Sequence, residues 1–141
     1  MNKPVNVLIF PAGEINSIEL HNALATCVNI KVFGASSIER HGSYVFENYI
    51  PNLPLISNDN FITIFNMVLR ENNIDLIFPT HDTVAEYLSN HANELVAKIA
   101  TSSSKTNEIC RNKKLTFELF KNELFCPKIY STVTQKIQNT L

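Results

Sequence analysis

Residues 5–10, "VNVLIF", form an apolar, largely β-branched run too short for a helix, which predicts a strand buried on both faces. The turn "PAGE" follows, and then Leu20, Ala23, Leu24 and Cys27 recur at helical spacing. Asn16 with Glu19 three residues on has the form of a capping box, with Asn standing for Ser or Thr. "NIKVFGA", residues 29–35, predicts a second strand that ends at Gly34. Residues 36–57 lose the periodicity: Tyr44, Phe46 and Tyr49 precede a "PNLP" bounded by Pro51 and Pro54. This stretch reads as an extended surface excursion with room for one short strand or helical turn.

Helical spacing returns from Asn58, with Ile62, Phe65, Val68 and Leu69 sharing a face. "IDLIFP", residues 74–79, predicts a third strand. The helix after it opens either with Asp82 as N-cap or with Thr83 and Glu86 as a capping box, and offers Val84, Leu88, Leu95 and Val96 as its apolar face. A fourth strand is expected at 97–101, and "SKTNEICRNKKLTFELFKNE" reads as one or two helices before Pro127. Strands alternating with long helical connections imply crossovers, hence an α/β fold with a small doubly wound parallel sheet, Rossmann-like, with helices on both faces. The expected strand order is 2-1-3-4. That order puts the switch point between the first and third strands, so the turns "PAGE" and "PTHD" should stand side by side over their carboxyl ends.

Composition narrows the function classes. At 141 residues, 45% hydrophobic and 18% charged, the chain is sized for one domain with one core. A formal net charge of −1 supplies no basic excess for phosphate backbones, so nucleic acid is not an expected partner. No signal-like N-terminus or long apolar run is present, so a cytoplasmic protein without membrane contact is expected. Cys27, Cys110 and Cys126 share no metal-type spacing and read as small buried hydrophobes in a reducing compartment.

The three glycines, Gly13, Gly34 and Gly42, cannot make a dinucleotide fingerprint, and no Gly-Lys-Ser/Thr loop exists. Backbone N–H groups at the first helix start favour anions, but Glu14 sets a carboxylate in the same turn and Asp82 another across the switch point. Such a rim suits a hydroxyl, an amine or a metal-bridged group better than a bare phosphate; equally, acids at helix starts serve the helices themselves. His81 lacks a second histidine at ligand spacing and reads as a polar loop residue, with His21, His41 and His91 as solvated side chains. No metal ligands or catalytic nucleophile stand out. Lys113 and Lys114 open a helix, where the macrodipole disfavours cations, so they serve either an anionic ligand or a solvated surface.

In order along the chain, "FPAGEINSIELHNAL", "FGASS", "FENYIPNLP", "IDLIFPTHD" and "NKKLTFELF", followed by "CPKIY", resemble the N-terminal, pre-ATP-grasp domain of ATP-grasp ligases, closest to carbamoyl-phosphate-synthase large-subunit-like members. The resemblance spans residues 5–130. It implies a pre-ATP-grasp α/β domain over 1–130, with 131–141 as a linker toward a missing C-terminal ATP-grasp module. The family joins a small carboxylate to an amine through an acyl phosphate, using ATP and Mg. Carried over by position, Lys113 (or its neighbour Lys114) matches a lysine that reaches ATP phosphate, and Gly13, Glu14, Thr80 and Asp82 match turns facing the acceptor substrate. The glycine-rich phosphate loop and late metal-binding carboxylates are not in this sequence, so residues 1–141 alone are not expected to be catalytic or to bind ATP tightly. The alternative is a free-standing flavodoxin-like or receiver-like binding module without catalysis. A third is an interaction domain using Tyr44–Tyr49 as a surface, in which case a homodimer is expected.

Overall fold

The computed structural model describes residues 3–38 and 41–130, so the expected linker at 131–141 lies outside the described residues. Five parallel strands form one sheet: β1 (Val5–Phe10), β2 (Ile30–Ala35), β3 (Asn48–Ile50), β4 (Leu76–Pro79) and β5 (Lys98–Ile99), in the order β3-β2-β1-β4-β5. The helices are α1 (Ile15–Leu24), α2 (Gly42–Val45), α3 (Phe61–Glu71), α4 (Asp82–Asn90), α5 (Ser104–Arg111) and α6 (Lys113–Phe120). The expected four-strand order therefore holds, with the third and fourth strands now β4 and β5 and an edge strand added outside β2. Stepping outward from β1 on one side and then on the other makes this the Rossmann-type arrangement.

Alternation along β1 builds two cores. Leu8 and Phe10 face α3 and α4, where they pack with Phe61, Phe65, Leu69 and Leu88. Ile9 points to the other face, where Phe46, Leu20 and Leu24 cover it. The ring of Phe10 lies 5.3 Å from that of Phe65 and 5.8 Å from that of Phe61, an aromatic stack that seats α3 on the sheet. Because β1 is buried on both faces, its apolar run from Val7 to Phe10 follows directly from its central place.

Helix α3 ends in a Schellman motif. Asn73 takes a left-handed φ of 51°, Ile74 N donates to Leu69 O at 2.9 Å, and Asn73 N donates to Arg70 O at 3.1 Å. Asn6, at the start of β1, locks this end by donating its Nδ2 to the carbonyls of Asn72 and Asn73 at 3.1 and 2.9 Å.

Several sequence expectations need correction. Asn16 is not a cap: α1 begins at Ile15 after Glu14, and Ser17 instead donates its hydroxyl to Glu14 O. The inward face of α1 is Ser17, Leu20 and Leu24, so Ala23 is exposed and Cys27, past the helix end, is exposed too. Cys110 is likewise exposed and Cys126 half-buried, against the expected burial, because α5 and the chain beyond it lie outside the sheet core. His21 is not free in solvent; it packs edge-on against Phe46 at 4.7 Å. Helix α4 stops at Asn90, so Leu95 joins the core only after a 3-10 turn at Ala92–Glu94. Among the described residues, no helix is long and apolar enough to cross a membrane.

Candidate functional site

The switch point lies where β1 and β4 run side by side, with Phe10 opposite Pro79. Two bonds tie the turns that follow. Thr80 N donates to Phe10 O at 3.0 Å, and Thr80 Oγ1 donates to Pro11 O at 2.6 Å. These bonds hold "PAGE" against "PTHD", and they commit the Thr80 hydroxyl to the backbone.

A hollow of about 350 Å³ opens between the two turns, lined by Glu14, Asn16, Thr80, His81 and Asp82. Glu14, Thr80 and Asp82 are thus brought together as the sequence predicts. A second hollow of about 300 Å³ adjoins it over the ends of β1 and β2. Gly13 lines this one, together with Phe10, Ser36, Ile38, Leu55 and Ile56. Glu14 and His81 line both hollows, so they form the boundary between an acidic side and an apolar side.

His81 caps α4 in place of Asp82 or Thr83. Its backbone is extended (φ −136°, ψ 134°) and its Nδ1 accepts Thr83 N–H at 3.2 Å. A ring nitrogen that accepts carries no proton, so the neutral imidazole holds its proton on Nε2 and offers a donor there. Asp82 becomes the first residue of α4, exposed, where its charge complements the helix dipole.

Lys113 does not join this rim. It opens α6 on the exposed surface, behind Asn112, whose side chain accepts from Lys114 N and Leu115 N. Helix α6 packs on α5, and α5 on α4, so the lysines lie two helices out from the sheet. Nor do Tyr44, Phe46 and Tyr49 form one surface. Tyr44 is 90% exposed, Phe46 is buried, and Tyr49 packs beside Phe46 on the core under α1.

The apolar wall was not anticipated. Residues 36–38 and 41–57 fold back over the strand ends because Ser36 N donates to Ile50 O at 3.2 Å, Leu53 N to Ser36 O at 3.1 Å, and Ser37 Oγ to Pro54 O at 2.7 Å. Ser36 Oγ in turn accepts Ala12 N–H at 3.1 Å, fastening this excursion to the β1 turn. The paired serines after β2 were the visible signal, but their partners lie up to 24 residues away.

No family model and no curated protein sequence matches the chain. Among solved structures it is similar to a dTDP-glucose 4,6-dehydratase from Bacillus anthracis str. Ames in complex with NAD. The likeness is 16% identical, covers 83% of this chain and 33% of that one, and has a TM-score of 0.39. The chain therefore spans about a third of that dehydratase. The Rossmann-like assignment rests on the strand order and the cores on both faces, and no ligand or activity is carried across with it.

Proposed function

We propose that this chain is the substrate-facing N-terminal domain of an ATP-grasp ligase similar to the carbamoyl-phosphate-synthase large subunit. Its task is to position a small acceptor substrate, while ATP-dependent joining of a carboxylate to an amine belongs to a downstream module. The observation that supports this most is the shared hollow of Glu14, Thr80 and Asp82 at the switch point, where ligands of open α/β sheets bind. Thr80 serves by holding the two turns together, and the carboxylates of Glu14 and Asp82 accept from a substrate hydroxyl or amine.

Among the described residues Lys113 stands apart from the rim, and no group of three or more His, Cys, Asp and Glu residues converges on one point. In this reading the binding of ATP and Mg, including any contact by Lys113, belongs to the complete ligase. The flavodoxin-like or receiver-like alternative is disfavoured by β3, which adds a parallel strand outside β2 where those folds end.

The test is to express the reading frame continued past Leu141. A glycine-rich loop and a later Glu/Asn metal set, with ATP hydrolysis that needs both carboxylate and amine and is weakened by Glu14→Gln or Asp82→Asn, carry the reading. A frame without those parts overturns it. So does ATP hydrolysis by residues 1–141 alone that Lys113→Ala abolishes.

A further inference from the structure

We infer that the apolar hollow binds the body of a compact small molecule whose hydroxyl or amine head faces the acidic side, making the two hollows one amphiphilic site. This deepens the reading above and rests on it only for treating the rim as a substrate face; the rest follows from the shape and lining. The hollow of about 300 Å³ equals the liquid volume of roughly ten waters, a size suited to a compact apolar body. Phe10, Ile56 and Val84 supply apolar lining, and at the same hollow Ile38 and Leu55 remain 57% and 54% exposed. A scattered exposed aliphatic residue means little, but large ones lining a hollow at a switch point leave apolar area for a ligand to cover.

The polarity is one-sided. At the boundary stands His81, which offers an Nε2–H donor, and beyond it Asp82 supplies a carboxylate acceptor. Among the described residues no Lys or Arg lines either hollow. A hydroxyl uses both the donor and the acceptor; an amine uses the carboxylate.

The experiment is a titration of the full 141-residue chain, with Ile, Leu and Val methyls labelled for NMR, against 2-phenylethanol, 2-phenylethylamine, methylamine and 3-phenylpropionate. Saturable shifts of the Ile38, Leu55 and Ile56 methyls are expected with the first two, with dissociation constants on the order of a millimolar. The exposed substitution Leu55→Ser should weaken both by roughly tenfold, while Asp82→Asn should weaken the amine more than the alcohol. Tightest binding by 3-phenylpropionate, or absence of saturable methyl shifts with both phenyl probes, overturns the inference. Methylamine alone acting, at Asp82, also overturns it while leaving the ligase reading standing. Conversely, a reading frame without an ATP-grasp module leaves the titration result untouched.

Discussion

His81 holds the start of α4 by accepting the Thr83 N–H on Nδ1 at 3.2 Å, and the same ring forms the boundary between the two rim hollows. His81→Ala removes the cap and should cost about 1 kcal/mol of stability. His81→Asn or His81→Ser replaces the ring nitrogen with an oxygen acceptor at that position and should recover most of the loss. Urea denaturation midpoints of the three variants check this.

Gly34 lies so close to Phe46 that a Cβ there would stand 2.5 Å from the ring's Cγ. Phe46 is buried and cannot swing aside. Gly34→Ala should therefore destabilise by about 1–3 kcal/mol through overpacking, although alanine elsewhere in a strand is favoured over glycine. If contact with the ring is the cause, Phe46→Leu combined with Gly34→Ala will cost less than the two changes summed.

Asn73 carries the left-handed turn that ends α3. Asn73→Ala should lower stability by about 1 kcal/mol, since alanine lacks the polar side chain that helps asparagine tolerate this conformation. Asn73→Gly should be neutral or stabilising. Thermal unfolding of both variants distinguishes these outcomes.

Burial first, then the charges of Glu94 and Asp59, raise the Tyr87 phenol above its ordinary value of 10.0. The folded state then keeps this proton at a pH where the unfolded chain has lost it. Stability from this group is fully present below pH about 10 and is lost as pH rises through the folded value. Tyr87→Phe should flatten the alkaline fall. Denaturation of both proteins at neutral pH and just above pH 10 measures the difference.

Much of the frame was legible from local pattern. The runs at 5–10 and 74–79 are apolar because both strands sit inside the sheet, and the helical spacing from Asn58 is that of a helix lying on its face. The edge strand β3 was not legible as a strand in its own right. It has three residues, and what makes it a strand is pairing of Phe33 with Asn48 and Ala35 with Ile50, together with Asn48 Nδ2 donating to Val32 O. The candidate site divided the same way. Glu14 and Asp82 could be placed on one rim from strand order alone, whereas Ile38, Leu55 and Ile56 could not.

Alternation of apolar runs and helical stretches, by itself, determined a parallel α/β sheet with β1 inside it and two turns meeting at its carboxyl edge. Periodicity carries that information because burial of a strand or helix face is written into consecutive residues. Only the tertiary structure decided that Thr80 bonds Pro11 from 69 residues away, and that residues 36–38 and 41–57 return to wall an apolar hollow. Those outcomes depend on which hydrogen-bond partners the fold brings within reach, and no local pattern encodes a partner that distant.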